Sequence, residues 1–426
     1  MTANETVGRS DAPPTRRRSL LGSWDTPVTS YYLILGLTVL LVVFGLAMVL
    51  SASSVRSIAR EGNAYSIFLG QAVYAVLGVV ALGVTASLRP VVYRKLAWFI
   101  LVASLGLQAL IFVPSLSVSA LGNTNWIKIP GTSFTIQPSE VVKLALALWL
   151  AAVLARKGGL LRHWGHVVVP AVPVAAVAIL LVLSGHDLGT ALILMFIVAG
   201  ALWVAGVPVR MFALGGTAMA AGVTAMIVFQ NNKNRLGRID AWLGRDCGVT
   251  DACYQTKHGL WALGTGGWTG VGLGAGREKW HYLPEAHNDF IFAVVGEELG
   301  LQGTILMLLL FGALAWAMSR IVVRHPDPFV KIATGAIMCW IIGQALVNIG
   351  VVIGALPVIG IPLPLVSAGG TALIMTMAAM GVVLSFARDE PGAREAFAAR
   401  TSVVRRSLAV VGGSVRRSRK GRSSRA

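Results

Sequence analysis

A carboxylate at the head of an apolar segment is the strongest candidate for chemistry in this sequence. Asp289 follows a polar stretch that includes the glycine-rich run Gly270–Gly276, and a long apolar run begins beside it. Ionisable groups at membrane depth are costly and are usually retained for a function. A carboxylate placed there is suited to take a proton from a reacting hydroxyl group.

Other charged residues are expected at the same membrane level as this carboxylate. Glu140 and Lys143 are three residues apart at the start of an apolar run, so they share one helix face and can pair. Asp187 lies in a tight turn, and Arg235 and Arg238 follow a later run. Each alone is explained as well by a helix cap, a neutralising pair or a loop charge. Their convergence at one depth indicates a binding site for a charged group.

The composition predicts that these residues are positioned by membrane-spanning helices. Of the 426 residues, 55% are hydrophobic and 13% are charged, whereas soluble domains average about 25% charged residues. Apolar runs of roughly 18 or more residues mark spans, and about ten are present by that rule. The predicted fold is an all-α polytopic bundle. Its spans begin near Tyr31, Ser66, Val92, Pro138, Val167, Leu188, Arg210, Asn288, Phe329 and Pro364.

Basic residues predict the orientation of the chain. Lys and Arg concentrate in the N-terminal tail and in alternate short loops, which places both termini in the cytoplasm by the positive-inside rule. The expected organisation is a basic tail at 1–29, a ten-helix membrane domain at 30–387, and a disordered basic tail at 388–426. The large loop 230–286, between the seventh and eighth helices, and Asp289 are then extracytoplasmic. No cleavable signal peptide is expected.

The formal net charge of +18 resides largely in the tails and cytoplasmic loops. We expect these residues to attract anionic membrane lipids, at about 1 kcal/mol per basic residue near the surface. Nucleic-acid binding is the alternative, but no recognition module accompanies the C-terminal tail. No nucleic-acid partner is therefore expected.

The sequence contains no recognisable motif for nucleotide hydrolysis or for binding a metal ion. The sequence lacks a phosphate-binding loop, a His-Glu-x-x-His motif and aspartates two residues apart, so neither ATP hydrolysis nor a resident metal is expected. Cys247 and Cys253 lie in the large loop, on the side expected to be oxidising. A structural disulfide between them is predicted.

The eighth apolar run has features of its own. Small residues fall on the helix face that carries Asp289, where they allow another helix or a lipid tail to approach; these residues are Ala293, Gly296 and Gly300. Glu298 points to the opposite side and Glu297 lies obliquely. The run would be about 45 Å long as a helix, longer than the ~30 Å hydrocarbon core. It must tilt, bend near Gly300–Gly303 or project outward.

Four segments together resemble a known family, the SEDS proteins (FtsW, RodA and SpoVE). Residues 283–300, reading LPEAHNDFIFAVVGEELG, strongly resemble its signature. The other segments are QPSEVVK at 137–143, DLGT at 187–190 and PLVSAGGT at 364–371. The resemblance covers residues 31–388. The sequence before Asp289 and the motif Ser51-Ala-Ser-Ser54 look most like the cell-division branch, FtsW, in its actinobacterial form.

The resemblance implies the SEDS fold and a peptidoglycan glycosyltransferase that polymerises lipid II at the division septum. Asp289 would be the general base of an inverting transfer, with undecaprenyl diphosphate as leaving group. Residues implied in binding the substrate or its diphosphate are Glu140, Lys143, Asp187, Arg235, Arg238, His287, Ser367, Gly369, Gly370 and Thr371. Structural roles are implied for Gly296, Glu297, Glu298 and Gly300.

The implied partners are a class B penicillin-binding protein of the FtsI type, other division proteins, lipid II and membrane lipids. No cofactor is expected, although a divalent cation, Mg²⁺ or Mn²⁺, on the diphosphate is an alternative. A lysine that many members carry before the last span is Ile359 here. Three other functions remain open: a flippase for lipid-linked precursors, a non-catalytic scaffold, and a RodA-type elongation polymerase.

Overall fold

Helices dominate the computed structural model, which describes residues 28–120, 123–128, 131, 135–217, 240, 242–244, 252–280 and 282–397. The helices are α1 (Thr29–Glu61), α2 (Ser66–Ser87), α3 (Pro90–Ala109), α4 (Pro138–Lys157), α5 (Trp164–Val168), α6 (Ala171–Ser184), α7 (Leu188–Val204), α8 (Ala252–Gly266), α9 (Ile291–Arg324), α10 (Pro328–Val352) and α11 (Gly370–Arg388). Proline is the first residue of α3, α4 and α10, where its missing N–H has no helical acceptor to lose.

The predicted spans agree with these helices. Within the described ranges, eight helices, with α5 and α6 joined as one, are long and apolar enough to cross a membrane, and α7 is a shorter apolar helix. The span expected from Arg210 is described only over residues 209–217, which are helical. The last span begins at Gly370 instead of Pro364, because residues 364–369 form a turn that serves the candidate site.

A small sheet between α3 and α4 was not predicted by the all-α fold class. Strands β1 (Ser117–Ala120), β2 (Asn123–Lys128) and β3 (Thr135–Ile136) pair antiparallel in the order β1-β2-β3. The strands are too short to give a clear alternating pattern in the sequence. The sheet leads directly into Gln137 and the start of α4, and so it positions one motif of the site.

The helices differ in how much of their surface is buried in the bundle. α4 is the most enclosed, with its side chains buried almost continuously from Pro138 to Leu154. α10 and α11 pack near it, whereas α2 and α3 expose many apolar side chains, as lipid-facing helices do. The start of α1 meets the segment that follows α11 at one end of the bundle, where the ring of Phe397 lies 5.1 Å from that of Tyr31. The cytoplasmic placement of this end stays a prediction.

The opposite end of the bundle carries Asp289 and a break in α9. Gly300 has φ 66° and ψ −161°, a conformation that glycine adopts readily. The break separates the carbonyls of Glu297 and Glu298 from their helical donors. The amides of Val271 and Gly272 donate to them instead, each at 3.0 Å. Of the three outcomes that the sequence allowed for this run, which were a tilt, a bend and an outward projection, the structure shows a bend at Gly300.

The glycine-rich segment is hydrogen-bonded into this break from both sides. The amides of Leu301 and Gln302, beyond the break, donate to the carbonyls of Gly267 (2.9 Å) and Trp268 (3.3 Å). Since both halves of α9 are hydrogen-bonded to residues 267–272, this part of the loop holds the two halves together.

Helix α8 covers the strip of small residues on α9. A Cβ on Gly296 would collide with the side chain of Leu263, and a Cβ on Gly266 would overlap the carbonyl oxygen of Gly296. The sequence left open whether another helix or a lipid tail lies against this strip. The structure shows that helix α8 lies there.

Replacing Gly270 by alanine is expected to destabilise the protein by roughly 3 kcal/mol, from backbone strain and overpacking together. Gly270 has φ +79°, and its Cβ would overlap the carbonyl oxygen of Glu298. Gly274→Ala is the matched control, because Gly274 also has φ +79° but nothing lies within 4 Å of its Cβ position. Thermal unfolding in detergent should give Gly270→Ala a clearly lower melting temperature than Gly274→Ala. Equal melting temperatures would show that the close approach does not matter.

Candidate active site

Asp289 lies just before α9, whereas the sequence predicted it in the first turn. α9 begins at Ile291 because the carbonyls of residues 287–289 are bound by groups outside the helix. The first helical turn instead closes on the carbonyl of Phe290, which accepts from the amide of Ala293 at 2.9 Å. The carboxylate is therefore held by a turn that the helix follows.

Three donors form a backbone clamp on residues 287–289. The amide of Ala368 donates to the carbonyl of residue 287 at 3.0 Å. The Ser367 hydroxyl donates to that of residue 288 at 2.7 Å, and Asn348 Nδ2 donates to that of residue 289 at 2.8 Å. The predicted site residues His287 and Ser367 thus lie in two segments that are hydrogen-bonded to each other, 287–288 and 367–368. What either does toward a substrate stays a prediction.

Ser367 is itself held in place. Its hydroxyl oxygen accepts from the amide of Leu363 at 2.8 Å, and its carbonyl accepts from Gln71 Nε2 of α2 at 3.3 Å. Gly370, at the start of α11, packs on the ring of Tyr74, and a Cβ there would lie 2.7 Å from that ring. α2 therefore supports the turn that supports Asp289.

The segment between α10 and α11 passes beside the carboxylate. Asp289 Oδ2 lies 3.5 Å from the position of a Cβ on Gly360. The side chain of Ile359 lies 3.1 Å from the corresponding position on Gly189 in α7. Asp289 thus lies beside Gly360, and the start of α7 lies beside the preceding residue, Ile359.

Glu140 and Lys143 form the predicted pair. Lys143 Nζ lies 2.8 Å from Glu140 Oε1, and the two side chains are only 1% and 3% exposed, respectively. Lys143 Nζ also donates to Gln344 Oε1 at 3.2 Å and lies 5.0 Å from the centre of the Trp340 ring. The ammonium group is therefore neutralised and enclosed by protein groups in this conformation.

Asp187 is joined to two other motif segments. Gln137 Nε2 donates to Asp187 Oδ2 at 3.3 Å, and the backbone amide of Gln137 donates to the hydroxyl of Thr371 at 3.3 Å. That hydroxyl donates to the carbonyl of Thr135 in β3 at 3.4 Å. Gly369 is the N-cap of α11, directly before these contacts. The starts of α4, α7 and α11 are thus connected by polar contacts.

Asp187 is also the N-cap of α7, as the alternative interpretation of this residue proposed. Its Oδ1 accepts from the amide of Thr190 at 2.8 Å, and its Oδ2 accepts from the Thr190 hydroxyl at 2.7 Å. Asp187→Ala should cost about 1 kcal/mol of stability, and Asp187→Ser should retain most of it because serine also caps helices. Melting curves test the cap. A polymerisation rate that falls in Asp187→Ser, at unchanged stability, would indicate a substrate contact in addition.

A buried ion pair fixes the segment before Asp289. Lys279 Nζ lies 2.8 Å from Glu298 Oε1, with side-chain exposures of 2% and 0%. The Ser51 hydroxyl of α1 donates to the same carboxylate at 2.6 Å, and Lys279 Nζ also donates to the carbonyl of Gly274 at 2.7 Å. Glu297, next to this pair, accepts from two loop amides, with its closest donor at 2.6 Å. Both glutamates thus bind the loop that precedes Asp289, and the structural role expected of them stays a prediction.

Three of the predicted residues lie outside the described residues: Arg235, Arg238 and Cys247. Cys253 is disulfide-bonded, and within the described part of the chain Cys339 is a free cysteine. Within the described ranges, no three His, Cys, Asp or Glu residues come together in a way that could hold a metal ion.

Sequence reasoning missed Lys279, Gln344 and Asn348. A signal was present for the last two, because amide side chains four residues apart in an apolar helix follow the same rule that selected Asp289. Lys279 looked like an ordinary loop charge, and nothing local indicated its burial.

Comparison with known proteins gives a consistent result. The profile of the FtsW/RodA/SpoVE family, described as cell cycle protein, matches residues 31–391. The probable peptidoglycan glycosyltransferase FtsW of Mycobacterium tuberculosis is 39% identical over 379 residues, covering 89% of this chain and 72% of that protein. Stage V sporulation protein E of Bacillus subtilis is 33% identical over 352 residues, covering 83% and 95%.

Solved structures share the fold. A chain of a peptidoglycan synthase complex that coordinates polymerization and crosslinking superposes with a TM-score of 0.68 at 26% identity, covering 84% of this chain and 97% of that one. The rod shape determining protein RodA of Thermus thermophilus gives a TM-score of 0.61 at 26% identity, with the same coverage. The chain therefore belongs to the FtsW/RodA/SpoVE family.

Proposed function

We propose that this chain is a peptidoglycan glycosyltransferase that polymerises lipid II, with Asp289 as the general base. The observation that carries the proposal is the backbone clamp on residues 287–289, which holds one carboxylate against the motif segment 364–371. That segment is joined in turn to the motif at 137–143, which bonds to Asp187. The names of the Mycobacterium and Geobacter relatives support the reaction class.

The proposed reaction is a single inverting displacement. The 4-hydroxyl of N-acetylglucosamine on lipid II attacks the anomeric carbon of a glycan linked to undecaprenyl diphosphate. The new bond joins the hydroxyl oxygen to that carbon, and the bond to the diphosphate oxygen breaks. Asp289 takes the hydroxyl proton. One carboxylate suffices, because no covalent enzyme intermediate is formed.

Fixed cations would stabilise the departing diphosphate, because negative charge grows on it. Arg235, Arg238 and Lys143 are the candidates. Lys143 is enclosed by Glu140 and Gln344. We therefore assign direct diphosphate contact to the two arginines, whose planar guanidinium groups bind phosphate in two-point fashion. A role for Mg²⁺ or Mn²⁺ carried by the diphosphate stays a prediction.

The proposed partner is a class B penicillin-binding protein of the FtsI type, acting with other division proteins. The structural relative from a complex that couples polymerization to crosslinking supports a partner synthase. The proposed location is the cytoplasmic membrane at the division septum, with both termini cytoplasmic and Asp289 extracytoplasmic. A fluorescent fusion at midcell would agree with this, whereas a side-wall pattern would favour the RodA-type alternative.

The reaction is tested by incubating the purified protein and its transpeptidase partner with fluorescent lipid II, and separating the products on a gel. A polymerase makes a ladder of glycan chains that lysozyme digests. A flippase or a scaffold makes none, and that result would overturn the proposal.

A further inference from the structure

Two buried amide side chains on α10 face the candidate site. Gln344 and Asn348 are each 2% exposed. Their spacing of four residues places them on the same face of the helix, one turn apart. Neither is charged, and no chemical step of the proposed reaction uses either side chain.

Gln344 joins the Glu140–Lys143 pair to the segment between α10 and α11. Its Oε1 accepts from Lys143 Nζ at 3.2 Å and from Trp340 Nε1 at 3.0 Å. Its Nε2 donates to the carbonyl of Pro362 at 2.8 Å. Both ends of the amide are thus used, each by a different part of the site.

Asn348 joins Asp289 to the same segment between α10 and α11. Its Nδ2 donates to the backbone carbonyl of Asp289 at 2.8 Å and to that of Ile361 at 2.7 Å. The residue therefore binds the proposed base and the residue beside Pro362 with one amino group.

We infer that Gln344 and Asn348 are positioning residues, which hold the Glu140–Lys143 pair and Asp289 in one fixed relation through residues 361 and 362. The inference rests on the proposed function, because it assigns the amides to the geometry of that reaction. A residue that served only to stabilise α10 would have no need of partners outside the helices. Both amides donate to the irregular backbone at residues 361 and 362, and Asn348 donates to that of Asp289 as well. Displacement of a reacting group by about 1 Å typically costs on the order of 100-fold in rate.

The test uses Asn348→Leu and Gln344→Met, which nearly keep side-chain volume and remove the amides. Polymerisation of fluorescent lipid II is measured in the complex with the transpeptidase, and lipid II binding is measured separately. We expect kcat to fall by about 10- to 100-fold in each variant, with the lipid II Kd changed less than twofold.

The control is Val347→Ala, which removes buried volume between the two amides. It should lower the melting temperature yet retain wild-type kcat when assayed below that temperature. If Asn348→Leu fails to fold, Asn348→Ala is assayed in the same way. A folded variant lacking either amide that retains wild-type kcat would overturn the inference. The proposed function fails separately, if the wild-type complex makes no glycan chains from lipid II.

Discussion

Asp289→Asn is expected to lower the rate of lipid II polymerisation by about 10²- to 10⁴-fold, the usual contribution of a general base. Asparagine has nearly the same shape, and the clamp binds the backbone of residue 289, so the turn should be retained. The loss would come from the missing proton acceptor. Gel analysis of glycan products gives the rate, and co-purification with the transpeptidase shows that the variant is folded.

Glu285→Gln is the matched control for this variant. It removes one negative charge four residues earlier in the same loop, where Glu285 pairs with Arg56 at 3.0 Å and both side chains are partly exposed. Partly exposed pairs contribute about 0–1 kcal/mol, so activity should stay near that of the wild type. Full activity in Asp289→Asn, or equal losses in both variants, would remove Asp289 from the role of base.

Lys279→Met is expected to destabilise the protein by about 3–5 kcal/mol, because it leaves the Glu298 carboxylate buried without its counter-ion. The Ser51 hydroxyl would remain as a neutral donor to this carboxylate. The loop before Asp289 should also become less ordered in this variant, since Lys279 donates to the carbonyl of Gly274 in that loop. Thermal unfolding in detergent measures the effect.

The double variant Lys279→Met with Glu298→Leu separates charge from packing. Replacing both members of a buried pair by apolar residues is often neutral or stabilising, so the double variant should melt higher than Lys279→Met. Arg56→Met, which breaks a partly exposed pair, should change the melting temperature little. If Lys279→Met melts like the wild type, the pair does not hold the loop.

The features that the sequence predicted correctly depend on local pattern. A span is recognised from its own apolar run, whichever helix packs against it. The Glu140–Lys143 pair follows from a spacing of three on one helix. A bend near Gly300 is one of three outcomes that a glycine-containing run longer than the membrane allows. In each case the physical cause lies within one segment.

The features that sequence reasoning missed depend on partners far away in the chain. α9 begins at Ile291 because donors from α10 and from the turn at 367–368 bind the carbonyls before it. The burial of Lys279 depends on Ser51 in α1 and on Glu298 beyond the loop. The small sheet has strands too short for a period to be seen. No pattern within a single segment encodes such contacts.

The interruption of α9 has a mechanical consequence. Long helices answer a change in bilayer thickness by tilting, but both parts of α9 are hydrogen-bonded to residues 267–272 at the break. The short part before Gly300 is also bonded to α1 through Ser51, and it follows the turn that α10 holds through Asn348. A tilt of the long part would therefore act on the loop that leads to Asp289, so we expect the rate of the reaction to depend on the thickness of the surrounding lipid.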